Sequence, residues 1–223
     1  MLDRCFESVS PLPVLELARG AAASGFVRLP PLEAFEPGNQ AIDGLATLVE
    51  IARRAGVRRV FEIGTYNGLT ALTLAANLPE ATVDTLDLAP GAAPTLPLSE
   101  ADPENITGAV RRHYEGRDEA ARVRQHFGDS AAFDFSPFRA AVDLVYVDGA
   151  HSRPYVENDT RAAFDMVSAD GVVVWDDYWR RVPDVAAVLH DLRERRLFRL
   201  AGTRMVVWLS DAASERVLGA DRR

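Results

Sequence analysis

Five short apolar runs in this 223-residue chain end on or beside an acidic residue, and one ends on two. In VVVWDDYW, residues 172 to 179, Asp176 and Asp177 stand side by side among Trp175, Tyr178 and Trp179. Adjacent carboxylates repel unless a cation lies between them. VDGAHSRPY places a third carboxylate, Asp148, at the end of an earlier run, with His151 three residues on. Three carboxylates gathered from neighbouring tips suit a hard cation with oxygen ligands, such as Mg²⁺. A lone Asp-Asp is most often a solvated turn, so the grouping carries the argument. His151 suits proton uptake, its ordinary pKa being about 6.5. A structural role, bonding a carboxylate or holding its loop, suits it equally.

Those tips need a frame. Val172 to Val174 read as a strand buried on both faces, because branched residues follow one another without polar alternation. RRVFEI (58–63), ATVDTLDL (81–88), part of ARVRQHFGD (121–129), VDLVYVD (142–148) and GVVVWDD (171–177) also read as strands. Helical patterns lie around them at 40–55, 68–78, 153–167 and 183–195. LFRLAG and RMVVWLS predict a closing hairpin around Gly202 and Thr203 that adds an antiparallel edge. Alternating strands and helices predict a Rossmann-like, doubly wound α/β sheet of about seven strands, mostly parallel. Residues 1–39 read as a loosely helical leader ahead of a domain spanning 40–223, and 88–105 as one long irregular loop.

In open α/β sheets, ligands bind beyond the carboxyl ends of the strands. The first such end is EIGTYNG, Glu62 to Gly68, where Gly64 and Gly68 permit a sharp turn into a helix with free N–H groups. Its E-x-G-x-x-x-G spacing differs from the G-x-G-x-x-G of dinucleotide binders. Asp87, about 20 residues on, is placed to accept hydrogen bonds from a ribose diol. Asp129 and Ser130 in GDS offer an acceptor and a hydroxyl to an adenine edge. Helix caps and tight turns are the plainer reading of each piece alone.

Taken together, EIGTYNG, TLDL, GDS, VDGAHSRPY and GVVVWDDYW resemble class I S-adenosylmethionine-dependent methyltransferases. The branch they look closest to holds small bacterial O-methyltransferases similar to macrocin-type sugar and catechol enzymes. The resemblance covers about residues 40 to 210, leaving out the leader and the 88–105 loop. It implies that Glu62, Gly64, Thr65 and Gly68 line the methionine and ribose of the cofactor. It also implies that Asp87 holds the ribose hydroxyls, with Asp129 and Ser130 near the adenine. Asp148, Asp176 and Asp177 then occupy the Mg²⁺ positions of the metal-dependent members. The catechol members carry a lysine three residues after the first metal aspartate, where this chain has His151. The general base is thereby open between His151 and Asp148, and metal-independent transfer is an alternative.

Composition prunes other functions. All 25 basic residues are arginine, which removes lysine nucleophiles, lysine bases and the P-loop lysine. A net charge of −8 without a basic stripe argues against nucleic acid. The single cysteine, Cys5, allows no intramolecular disulfide. No segment has the roughly 20 apolar residues of a membrane helix, and Asp3, Glu7, Glu16 and Arg19 interrupt any signal-peptide core. The expectation is a cytoplasmic enzyme acting on a small-molecule acceptor, alone or as a homodimer. A nicotinamide-dependent oxidoreductase conflicts with the glycine spacing and the missing lysine. A non-catalytic cofactor-binding module would have no use for the three carboxylates.

Overall fold

The central apolar runs become strands covered on both faces, as branched side chains without polar alternation require, whereas residues 123–127 at the sheet edge are only partly covered. The computed structural model describes residues 14–15, 26–100, 102, 112–192 and 194–219. Their strands are β1 (Val14–Leu15), β2 (Arg59–Ile63), β3 (Thr82–Asp87), β4 (Val123–Phe127), β5 (Val142–Val147), β6 (Val167–Trp175), β7 (Leu197–Leu200) and β8 (Val206–Leu209). They form one sheet in the order β1-β7-β8-β6-β5-β2-β3-β4. The seven expected strands are present, and the two-residue β1 joins β7 in parallel as an eighth. Helices α1 (Ile42–Ala55), α2 (Leu69–Asn77), α3 (Arg153–Met166), α4 (Pro183–Asp191) and α5 (Asp211–Gly219) complete the described fold.

Two cores result. One face of the sheet packs Leu48, Ile51, Leu74 and Val217 from α1, α2 and α5 against Val60, Leu144 and Val174. The other packs Val156, Met166 and Leu189 from α3 and α4 against Phe61, Val145 and Val173. Gly56, at φ 73°, ends α1 in the left-handed conformation that glycine adopts without cost. No helix among the described residues is long and apolar enough to cross a membrane.

Three features depart from the sequence reading. The hairpin forms, but β8 lies between β6 and β7 and pairs antiparallel with both. The antiparallel strand is therefore interior, and β7 runs parallel to the rest. The α4 crossover sets β7 one strand away from β6, and the short turn returns β8 into the gap. The chain also continues past the hairpin into α5, whose Ala213 and Val217 are buried against the first core. Most of the leader lies outside the described residues; what is described contributes β1 and a single 3₁₀ turn at Leu32–Ala34. Residues 88–100 carry no helix or strand, while most of 101–105 lies outside the described residues.

Topology places the site. From β2 the chain moves outward to β3 and β4, then returns to β5 on the other side of β2. This reversal opens a crevice between the tips of β2 and β5, where ligands of such sheets bind. The tips are stitched together: the Asp148 N–H donates to Ile63 O at 2.8 Å, and that of Gly64 to Leu86 O at 2.9 Å. Gly64 has φ 100°, and a Cβ there would lie 1.9 Å from Asp148 O. A methyl group at this point collides with backbone that cannot move without parting the strands. Gly64→Ala should therefore destabilise the protein by about 2 kcal/mol or more in urea unfolding. A loss below about 0.5 kcal/mol would show that the two tips are not held as tightly as described.

Candidate active site

A cavity of about 340 Å³ opens over the tips of β2, β3, β5 and β6, a size within the range of ligand pockets. Gly64, Asp87, Asp129, Ser130, Asp148, His151 and Asp177 all line it. At one end Asp148, Asp176 and Asp177 converge, each offering a carboxylate oxygen, all within 4.8 Å of one another. In a continued strand Asp176 and Asp177 would point to opposite faces. Instead β6 stops at Trp175, and Asp177 takes a left-handed φ of 57°. Aspartate tolerates that conformation better than most residues. The turn brings both carboxylates into one cluster.

The surroundings of these carboxylates are unequal. Gln40 Nε2 donates to Asp176 Oδ2 at 2.6 Å and the Tyr146 hydroxyl to the same oxygen at 3.3 Å. Asp176 Oδ1 is buried and has no partner. Burial and the neighbouring Asp177 raise the Asp176 pKa, although Arg204 opposes them. Burial, then Asp176 and Asp177, push Asp148 well above the usual carboxylate range. Asp177 is held low: burial acts upward, but the hydrogen bond from His151 and the charges of His151 and Arg204 outweigh it. Arg204 reaches Asp177 Oδ1 at 3.1 Å from Nη1 and Asp176 Oδ2 at 3.6 Å from Nη2.

His151 bridges two carboxylates. Its Nε2 lies 2.7 Å from Asp177 Oδ2, and its Nδ1 lies 2.6 Å from Asp102 Oδ1. The His151 backbone N–H also donates to Asp102 Oδ1, at 2.9 Å. Burial works to lower the imidazole pKa, yet these hydrogen bonds raise it to about 10. In this arrangement the ring is a cation that donates to both neighbours.

Fully ionised, Asp102, Asp148, Asp176 and Asp177 present four negative charges to two cationic side chains, His151 and Arg204. The deficit of two charges, the hard oxygen donors and the unpartnered Asp176 Oδ1 all fit Mg²⁺ or a similar ion.

The glycine-loop residues divide. Gly64 faces the cavity, while Glu62 and Thr65 are buried behind it. The Thr85 hydroxyl donates to Glu62 Oε2 at 2.5 Å and lies 2.7 Å from the Thr65 hydroxyl, which Gln125 Nε2 reaches at 3.0 Å. Gly68, at φ 75°, starts α2 beneath Tyr114, whose ring would lie 2.5 Å from an added Cβ. Burial raises the Glu62 pKa to about 8, outweighing the Thr85 hydrogen bond, so this acid holds a proton at neutral pH.

Asp87 lines the cavity and accepts from Arg112 Nη2 at 2.7 Å. Asp129 is engaged by four donors: Thr95 N and Oγ1, both at 2.6 Å, the Ala131 N–H at 2.9 Å and the Tyr155 hydroxyl. Ser130 lines the cavity beside it and accepts from Asn158 Nδ2 at its carbonyl. Through Thr95 the loop after β3 is strapped across the cavity. The strap is fastened again where the Ser152 hydroxyl donates to Pro97 O at 2.6 Å and the Ser99 N–H to Asp102 Oδ2 at 2.7 Å.

Of the three aromatic residues around the Asp pair, Trp179 alone lines the cavity. Trp175 and Tyr178 are core residues, the first donating from Nε1 to Thr160 Oγ1 at 3.0 Å and the second bonding His190 at 2.7 Å. Arg153 pairs with Glu157 and Asp191 away from the cavity. Gln40, Asp102 and Arg204 were not anticipated from sequence, since no local pattern marks them as partners of the cluster.

A family model described as a methyltransferase domain matches residues 61–178, from within β2 to the turn after β6. The chain belongs to this methyltransferase family. No curated protein matches it. Among solved structures it is similar to the O-methyltransferase TomG from Streptomyces achromogenes, in complex with SAM, at 20% identity and a TM-score of 0.54, over 77% of this chain and 82% of that one. The SAH-bound methyltransferase PaMTH1 of Podospora anserina is 16% identical, with a TM-score of 0.56 over 80% and 83% of the two chains. An O-methyltransferase from Bacillus cereus in complex with SAH is 14% identical, with a TM-score of 0.55 over 80% and 86%. Structural likeness at these identities establishes the shared fold, in which the expected Rossmann-like architecture is recognisable.

The buried Glu62 gives a stability prediction. Its folded pKa of about 8 lies above the ordinary value of 4.5, so the folded state keeps a proton that the unfolded chain releases. Its contribution is fully favourable below pH 4.5 and is lost as pH rises through about 8. Urea unfolding between pH 5 and 9 should show a decline that Glu62→Gln flattens, on the order of 2 kcal/mol. Parallel profiles for the two proteins would mean that Glu62 is ionised in the fold.

Proposed function

We propose that this protein transfers a methyl group from S-adenosylmethionine to a hydroxyl of a small molecule, assisted by a divalent cation such as Mg²⁺. The observation that carries the reading is the convergence of Asp148, Asp176 and Asp177 at the cavity, with a buried Asp176 oxygen lacking a partner. Membership of the methyltransferase family supports the reaction class. TomG and the Bacillus cereus protein are O-methyltransferases crystallised with SAM and SAH, which supports the cofactor and the oxygen acceptor.

Each residue has a proposed part. Asp87, steadied by Arg112, accepts hydrogen bonds from the ribose diol. Ser130 and the Asp129 segment border the adenine end. Gly64 presents backbone to the methionine and ribose, and Glu62, Thr65 and Gly68 act from behind by fixing its turn. S-adenosylmethionine supplies an electrophilic methyl group on a sulfonium. Asp148, Asp176 and Asp177 would hold the cation, which supplies Lewis acidity that makes a neighbouring hydroxyl more acidic. Asp102 and Asp177 fix the plane of the His151 ring at the cavity wall. His151 is the proposed proton acceptor in the state where Asp177 is engaged by another cation, because the imidazolium described above has no free lone pair.

A second reading is metal-independent transfer, with Asp148 or His151 as base. The observation in its favour is that Arg204 and His151 already supply positive charge to the aspartates. Calorimetry separates the two readings. S-adenosylmethionine should bind with or without Mg²⁺, and Mg²⁺ should bind the wild type but not Asp177→Ala. Methyl transfer should fall by about a hundredfold or more in that variant and in chelator. Absence of cofactor binding would overturn the methyltransferase reading; full activity in chelator and in Asp177→Ala would overturn the metal.

A further inference from the structure

We infer that the methyl acceptor is a carboxylic acid, whose carboxylate is held by Arg181 while its hydroxyl faces the aspartate cluster. The inference rests on the proposed methyltransferase reading and adds the class of acceptor. It starts from Trp179, the indole that lines the cavity just after the Asp pair. Two guanidinium groups lie over that ring, Arg204 at 5.6 Å from its centroid and Arg181 at 5.2 Å. Their situations differ. Arg204 is committed to Asp176 and Asp177. Arg181 lines the same cavity, is exposed, and has no carboxylate partner among the described residues.

An arginine stacked on an aromatic face is oriented without being neutralised. Its planar fork of donors matches a carboxylate in two parallel hydrogen bonds. Because Arg204 and Arg181 share one indole, a molecule spanning it has one end near Arg181 and the other near the aspartates that Arg204 touches. Charge limits how anionic that molecule is. Asp87, Asp102, Asp129, Asp148 and Asp177 line the cavity against His151, Arg181 and Arg204. Arg112 answers Asp87, and the proposed cation answers the aspartate cluster, so Arg181 is the charge left for the acceptor and matches a monoanion. The flat indole and the adjacent Val182 give the organic part of the acceptor an apolar surface.

The test uses the full-length protein saturated with S-adenosylhomocysteine and Mg²⁺, and two matched probe pairs. These are 3,4-dihydroxybenzoate with 3,4-dihydroxybenzamide, and glucuronate with glucose. In at least one pair the acid should bind about tenfold more tightly than its neutral partner by calorimetry. Arg181→Ala should abolish that difference while leaving the affinity of the neutral partner unchanged, which also shows the site to be intact. Turnover should move likewise, with KM for the acid rising and kcat holding. Equal affinities in both pairs, a preference that survives Arg181→Ala, or no binding by either acid overturns the inference. If S-adenosylhomocysteine itself fails to bind, the methyltransferase reading falls and takes this inference with it. If it binds and the acids show no preference, only the acceptor class is lost.

Discussion

The mutual repulsion of three half-buried or buried carboxylates is the constraint that organises this molecule. Placed together in a low-dielectric crevice, Asp148, Asp176 and Asp177 are tolerable only with positive charge beside them or with protons on board. The sheet holds them there nonetheless. Hydrogen bonds between adjacent tips, Asp148 to Ile63 and Asp176 to Val147, leave the backbones no freedom to separate. The strands beneath are filled with valine, leucine and aromatic residues buried on both faces, so strain at the tips is borne by a close-packed interior. Arg204, His151, Gln40 and Tyr146 are then the local answers to a charge problem that the fold imposes.

Much of this was legible in the sequence because it is locally encoded. A strand buried on both faces writes itself as a run of branched residues, and its tip as the first polar residue afterwards. Asp87, Asp129, Asp148, Asp176 and Asp177 stand out in that way, and the structure brings the last three together. The resemblance to a methyltransferase family drew on the same strand ends, and the family match spans most of them.

What was not legible depends on chain closure. Gln40 meets Asp176 across 136 residues, and Asp102 meets His151 across 49. Arg204 joins the cluster because the β7–β8 turn folds back over it, a consequence of where β8 inserts. No spacing rule reports such distances. Helix α5 escaped for a different reason: DAASERVLG contributes only Ala213 and Val217 to the core, too few for an apolar stripe to stand out. The aromatic fence around the Asp pair also misled. Residue type alone made three candidates for the cavity wall, whereas burial leaves Trp179 there and puts Trp175 and Tyr178 in the interior.

Arg204 and His151 have one more consequence. A cluster that already carries its own counterions does not fill like an empty cup. Any ion entering it meets a guanidinium and an imidazolium already in contact with the aspartates, so its affinity is measured against those contacts. Arg204 is also tied to the backbone, since its carbonyl accepts the Tyr178 N–H at 2.8 Å. Release of its side chain would thus leave the β7–β8 turn fastened. Its guanidinium lies over the same Trp179 indole as that of Arg181.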